Sequence, residues 1–248
     1  MANLYFAEHS APDTFVSGAE LTIAGPEGRH AVTVSRLRAG EQILIGDGAG
    51  RLADAEVTEI AGKAFTVRLG AVREEPVPAP RLTLVQALAK GDRDERAIET
   101  ATEHGVDAVQ PWQAERSVSR WNAEKRVKGV ERWSAIVREA AKQSLRARVP
   151  EVLAPIDSRS LADWAGDKTV LVLHPGASER LSAVPEAVLR GSAEIALVVG
   201  PEGGLSPAEL DALAAAGART VCLGDTVLRT SSAGPAALAV LNVRLDRW

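Results

Sequence analysis

Apolar positions follow two different rhythms along the 248 residues, and the change falls near residue 75. Before it, short β-type runs predominate, at 20–24, 41–47, 51–60 and 64–72, with one short helix expected over about 27–37. Gly46-Asp47-Gly48-Ala49-Gly50, between two of these runs, reads as a hairpin turn. Glu74-Glu75-Pro76-Val77-Pro78-Ala79-Pro80 follows, and its three prolines favour an extended connector. Beyond it, apolar runs at 82–88, 108–112, 169–173, 194–199 and 220–223 alternate with helical stretches, the pattern of a mostly parallel sheet. The expected organisation is a small β-barrel over residues 1–73, a linker over 74–80 and an α/β domain over 81–248.

Several helices carry start signals. Asp92 with Glu95 has capping-box spacing, and Gly105 is placed as the residue that ends the same helix. Ser206-Pro207-Ala208-Glu209 is a stronger case, with an N-cap serine, proline at the first helical position and glutamate at the third. A long helix is expected over 122–146. At 100° per residue, Val127, Val130, Val137, Ala141 and Leu145 form one stripe, and Lys125, Lys128, Arg132, Lys142 and Arg146 lie roughly opposite. The charged face reads either as a solvated surface or as a stripe that contacts phosphates. For Trp112, Trp121 and Trp133 around it, core packing is the better expectation than base stacking. The closing helix over 233–245 is apolar nearly all round, which suits either an interface or full burial in its own subunit.

Composition changes this picture in two places. With 46% hydrophobic and 25% charged residues the chain is that of an ordinary globular protein. No apolar run is long enough to span a bilayer, and the first residues lack the pattern of a signal peptide, so a cytoplasmic protein without membrane contact is expected. The single Cys222 and four scattered histidines (His9, His30, His104 and His174) provide neither a disulfide framework nor a metal-ligand spacing. The net charge is −4, yet ten of the 29 basic residues and only three of the 33 acidic ones fall between positions 116 and 148. An anionic partner that met this segment would see a basic surface despite the acidic total.

Three loops at the carboxyl ends of expected strands are rich in small residues: Leu173-His174-Pro175-Gly176-Ala177, Gly200-Pro201-Glu202-Gly203-Gly204, and Leu223-Gly224-Asp225-Thr226-Val227-Leu228-Arg229-Thr230. In open α/β sheets, ligands bind beyond the carboxyl ends of strands. The glycines match neither GxGxxG nor a phosphate-binding P-loop, which argues against an ordinary dinucleotide or nucleoside triphosphate site. Together with Ser231-Ser232-Ala233, the last two loops closely resemble the RsmE family of SPOUT-class methyltransferases, which act on N3 of a uridine in small-subunit (16S) ribosomal RNA. Gly28-Arg29-His30 through Leu37-Arg38-Ala39-Gly40-Glu41, Gln86-Ala87-Leu88-Ala89-Lys90-Gly91-Asp92-Arg93, Ala101-Thr102-Glu103-His104-Gly105-Val106 and Ala140-Ala141-Lys142-Gln143-Ser144-Leu145-Arg146-Ala147-Arg148-Val149-Pro150 resemble further segments of that family in the same order. Three positions depart from it: Leu4 stands where an arginine is usual, and Ser231 and Ser232 replace Glu-Thr.

The resemblance implies a PUA-like barrel joined to a SPOUT domain tied in a trefoil knot. It also implies a homodimer and S-adenosylmethionine as methyl donor, with 16S ribosomal RNA, within the 30S subunit, as partner. Donor contacts are then expected from Leu173, His174, Gly200, Pro201, Gly203, Gly204, Leu223, Gly224, Val227, Leu228, Thr230 and Ala233. Arg36, Arg38, Lys90, Arg93, Lys128, Arg132, Lys142, Arg146 and Arg148 are the expected RNA contacts. Removing the N3 proton, or stabilising the anion it leaves, is the chemical task. Arg229 is expected to hold the pyrimidine, Glu202 to act as a base or to orient its loop, and His174 to serve as a wall of the donor pocket. Two competing readings remain, a ribose hydroxyl or guanine nitrogen as target, and an RNA-binding protein without catalysis; the intact loops speak against the second.

Overall fold

The computed structural model describes residues 3–7, 14–166 and 168–248, so His9 lies outside the described residues. The chain divides into two compact units. The first comprises Met1–Val77 together with Ala141–Val149; the second comprises Pro78–Ala140 and Pro150–Trp248. The division between Val77 and Pro78 falls within the proline-rich segment. The return of 141–149 to the first unit is a departure from the contiguous 81–248 domain.

In the first unit, β1 (Leu4–Phe6), β2 (Glu20–Ile23), β3 (Gln42–Gly46), β4 (Arg51–Ala61) and β5 (Ala64–Glu74) form a sheet in the order β1-β3-β4-β5-β2. β1 runs parallel to β3 and the other pairs are antiparallel. No pairing among the described residues joins β1 to β2, so the ladder itself does not close the expected barrel. The turn before β4 forms as its sequence indicates, because the Asp47 carboxylate accepts from the backbone N–H of Ala49 and of Arg51. The expected helix over 27–37 is shorter: α1 (Gly25–Arg29) passes into a π-helical turn, His30–Val34. Alternation along β4 sends Ala53, Ala55 and Val57 into a core with Tyr5, Ile45, Phe65 and Val67, where the Tyr5 and Phe65 rings meet edge to face. Residues 141–149 add Ala141 and Ala147 to a second cluster with Leu4, Phe6, Leu44 and Leu52.

The second unit is built on a sheet whose pairings are all parallel: β6 (Arg81–Ala87), β7 (Ala108–Gln113), β8 (Glu151–Val152), β9 (Ile156–Asp157), β10 (Thr169–Leu173), β11 (Glu179–Arg180), β12 (Glu194–Val199) and β13 (Arg219–Cys222). The order is β11-β13-β10-β12-β6-β7-β8, with β9 also on β7. Near-continuous apolar runs such as Ile195–Val199 in β12 are buried on both faces, as a parallel sheet covered by helices requires. The helices are α2 (Arg93–Glu103), α3 (Ala123–Gln143), α4 (Ser158–Ala165), α5 (Glu186–Arg190), α6 (Pro207–Ala215) and α7 (Thr230–Arg244).

Ser206 caps α6 in a full capping box, accepting from the Glu209 backbone while the Glu209 side chain accepts from Ser206 N–H. The expected box at Asp92 does not form. Asp92 pairs instead with Arg96, and Glu95 with Arg132, while the buried Asp94 accepts from the backbone of Ala89 and Glu95. Among the described residues no helix is long and apolar enough to cross a membrane, and no group of three or more potential ligands is placed to hold a metal ion.

Candidate functional site

Beyond the carboxyl ends of β10, β12 and β13, three loops enclose a cavity of about 380 Å3. All twelve residues expected to contact a methyl donor line it: Leu173, His174, Gly200, Pro201, Gly203, Gly204, Leu223, Gly224, Val227, Leu228, Thr230 and Ala233. The sheet order explains the convergence. β13 inserts between β11 and β10, and β12 flanks β10 on its other side, so chain segments some 50 residues apart end side by side.

Each loop is fixed by identifiable bonds. His174 N–H donates to Val221 O at 2.9 Å, and the ring Nδ1 accepts from Gly176 N–H at 3.1 Å, so this nitrogen is occupied within its own turn. Gly204 N–H closes a turn on Pro201 O at 2.9 Å, with Gly204 at φ +70°, a conformation that favours glycine. The Arg116 guanidinium donates to the carbonyls of Gly203 at 3.1 Å and Leu205 at 3.2 Å. Thr230 Oγ1 donates to Gly200 O at 2.8 Å and accepts from Gln86 Nε2 at 2.9 Å, joining the start of α7 to the glycine loop through a buried amide. Sequence reasoning assigned no role to Arg116 or to Gln86, the first residue of the Lys90-Gly91 segment, since both act on backbone or hydroxyl groups more than 85 residues away.

Glu202 points out of its loop to the end of β6. Its Oε1 accepts from Lys90 N–H at 3.1 Å and from the Arg93 guanidinium at 2.5 Å. Burial pushes the Glu202 carboxyl up, but the Arg93 hydrogen bond, further backbone donors and the Arg93 charge outweigh it and hold the pKa below the usual carboxylate range. Such a carboxylate is a weak base and a strong anchor. Arg229 is exposed as the N-cap residue of α7, between the cavity-lining Leu228 and Thr230, and its guanidinium bonds to none of the described residues.

The expected RNA contacts are scattered over both units. In the second, Lys90 is exposed and tied to Glu202 through its backbone alone, Arg93 is paired with Glu202, Lys128 pairs with Glu124 on the surface at 2.6 Å, and Arg132 pairs with Glu95 at 2.9 Å. In the first, Arg36 and Arg38 are exposed beyond the π-helical turn. Two expectations need correction there. Lys142 is not on an exposed stripe: it is buried, 3.2 Å from Glu27 and over the Tyr5 ring. Arg148 is half-buried and spends its guanidinium on the carbonyls of Ala49 and Glu75. Arg146 is half-buried. The apolar stripe of α3 also differs, since Val127 and Leu145 are exposed and Trp133, Val137 and Ala140 are buried. Leu4 packs in the core, which removes it from any surface role.

Comparison with known proteins matches residues 23–70 to the RNA methyltransferase PUA domain family and residues 75–242 to the RNA methyltransferase domain family. Ribosomal RNA small subunit methyltransferase E of Mycobacterium bovis is 46% identical over 255 aligned residues, covering 100% of this chain and 94% of the relative. Its Bacillus subtilis counterpart is 32% identical and covers 91% of this chain and 90% of its own length. Among solved structures, the methyltransferase E of Neisseria gonorrhoeae bound to S-adenosyl methionine superposes with a TM-score of 0.86 at 28% identity, covering 98% of each chain. A Legionella pneumophila putative methyltransferase in complex with the same cofactor gives the same TM-score, identity and coverage.

Proposed function

This chain belongs to the RNA methyltransferase family whose PUA and methyltransferase domains it carries, and on that premise we propose that it methylates N3 of a uridine in small-subunit (16S) ribosomal RNA with S-adenosylmethionine as donor. The observation that carries this reading is the convergence of three loops, one of them with three glycines in five residues, on one cavity at the carboxyl edge of the sheet. Its size lies in the range of small-molecule sites, roughly 300–1,000 Å3. The cavity also suits the donor chemically, with backbone groups at the glycines for a polar ligand and Leu173, Leu223, Val227 and Leu228 for apolar contact. The donor supplies an electrophilic methyl on a sulfonium centre.

The residues of the chain divide the remaining work. Gly200, Gly203 and Gly204 are held in place by Thr230, Arg116 and the Gly204 turn, so the cavity is shaped before any ligand enters. Glu202 serves as the anchor of this loop, because its carboxylate is already engaged by two donors. Arg229, beside the cavity and unpaired among the described residues, is the group that meets the pyrimidine oxygens as N3 loses its proton.

The same reading includes the trefoil knot, a homodimer, the 30S subunit as the form of substrate, and a cytoplasmic location. The knot is supported by β13, which pairs on both sides with strands laid down earlier, before the chain turns back into α7. The dimer is supported by α7, where Val243 is 62% exposed and Ala236, Ala239 and Val240 are only partly covered. Incubation with ribosomal subunits and labelled donor, followed by mass-spectrometric mapping of nucleosides, is expected to yield N3-methyluridine. A methylated ribose or guanine would move the target, and absence of donor binding would remove the enzymatic reading altogether.

A further inference from the structure

A second cavity opens at the carboxyl edge of the same sheet. The loop after β6, the segment after β7 and the first half of α3 enclose about 460 Å3, and no residue lining this space lines the donor cavity. β6 and β12 are neighbours in the sheet, and the contacts of Glu202 with Lys90 and Arg93 tie together the loops on which the two cavities are built.

Its walls are of two kinds. Trp121 provides an aromatic surface, with the exposed Val118 nearby, and Arg120, Lys125, Lys128 and Arg132 provide positive charge. Trp133, set edge-on to Trp121 at 5.7 Å and 76°, is fully buried, whereas Trp121 is only half-buried. The helix makes room for this ring: a Cβ on Gly129 would stand 2.5 Å from it. Glycine weakens a helix interior, and here it allows the indole to lie against the helix backbone. Of the cations, Arg132 is taken by Glu95, Lys128 makes only an exposed pair with Glu124, and the Lys125 ammonium has no partner among the described residues. Asp94 and Glu95 occupy another side, which is thereby closed to a phosphate.

We propose that this cavity holds one unpaired nucleotide of the RNA substrate, its base against Trp121 and its phosphate toward Lys125 and Lys128. The proposal rests on the RNA methyltransferase reading and adds to it a second recognition point outside the donor cavity. An aromatic face beside exposed cations is the chemistry of single-stranded binding, because every base has a face that stacks and every nucleotide has a charge. A base within a duplex is already stacked and paired, so the cavity selects an unpaired residue.

The test uses the full chain, a mixed-sequence single-stranded 12-nucleotide RNA, and the same RNA annealed to its complement. Trp121→Ala is expected to weaken single-strand binding by roughly 5- to 150-fold, while Trp121→Phe keeps most of the affinity and the duplex is affected less. RNA should quench the tryptophan emission of the parent more than that of Trp121→Phe, a difference that isolates this ring even if the alanine variant fails to fold. Lys125→Ala is expected to shallow the dependence of log affinity on log salt by about 0.7. Donor affinity by calorimetry should not change in any variant. Equal quenching in parent and Trp121→Phe with an unchanged salt slope in Lys125→Ala overturns the proposal, and methylation of ribosomal RNA by the parent would then leave the enzymatic reading standing. A parent protein that neither binds nor methylates RNA overturns both.

Discussion

Lys142 and Glu27 lie 3.2 Å apart with only 7% and 10% of their side chains exposed, and Glu27 also accepts from Phe6 N–H. A charge buried in this way depends on its partner. Removing one member of such a pair costs about 3–5 kcal/mol, because the other is left uncompensated. Lys142→Ala is therefore expected to lower the stability of the first unit, as read by chemical denaturation. Should the variant remain as stable as the parent and lose RNA affinity instead, Lys142 would return to the contact surface.

Glu202 is expected to stabilise its loop through charge. Its pKa is held below the usual range, so the folded state favours the ionised form; this stability is present above the unfolded carboxyl pKa and is lost as pH falls through the folded value. Glu202→Gln keeps the shape and removes the charge. The variant should bind the methyl donor more weakly than the parent at pH 7, and its stability should converge with that of the parent at the acidic end of a denaturation series. A gap in stability that persists at low pH would mean that geometry, not charge, anchors the loop.

Asp94 predicts the opposite slope. Burial raises its pKa to about 6, against backbone hydrogen bonds that act to lower it. A raised carboxyl pKa favours the protonated form in the folded state, so its contribution is full below about pH 4 and is lost as pH rises through about 6. The parent should therefore lose stability across this window, and Asp94→Asn, which cannot ionise, should lack that component. Parallel melting-temperature profiles for the two proteins between pH 4 and 7 would show that Asp94 does not titrate there.

Local chemistry was legible in the sequence where the partners are close along the chain. Ser206 and Glu209 form their box because they lie three positions apart, and the Asp47 turn forms because its partners are likewise close along the chain. The three loops that line the cavity were legible as loops because their motifs and the strands before them fix where they end. Asp92 shows the limit of spacing, since Asp94, two residues on, faces Ala89 and takes the hydrogen bonds at the helix start. Lys142 shows another limit. A helical wheel assigns it by angle alone, but its surroundings come from Tyr5 and Glu27, more than 110 residues earlier. Arg116 and Gln86 carry no local signal, because what they hold is a distant carbonyl or hydroxyl.

Space around the cavity glycines separates two substitutions that the sequence treats alike. A Cβ on Gly203 would stand 3.2 Å from Arg116 Cβ and press on the arginine that holds the loop, whereas a Cβ on Gly224 meets no heavy atom within 4 Å. Gly224→Val is therefore expected to fold with a melting temperature near that of the parent, yet to lose donor affinity by calorimetry, since Gly224 lines the cavity. Gly203→Val should lower both. Full donor affinity in Gly224→Val would show that this side of the cavity is not used.

Arg229 gives the sharpest test of the chemical step. It caps α7 between Leu228 and Thr230, which line the cavity, while its own guanidinium is exposed and bonds to none of the described residues. A structural arginine would hold carbonyls, as Arg116 and Arg148 do. An arginine kept free can instead direct its fork of donors at pyrimidine oxygens, where charge grows as N3 is deprotonated. Loss of one preorganised donor of this kind costs about 2.7–4 kcal/mol, on the order of a hundredfold or more in rate. Arg229→Ala is expected to slow single-turnover methylation by that factor while its melting temperature and donor affinity stay near those of the parent, because no bond to a described residue is lost. Arg229→Lys should recover only part of the rate, since a point charge cannot bridge two acceptors. Wild-type single-turnover rates in the alanine variant would exclude Arg229 from the acceptor site.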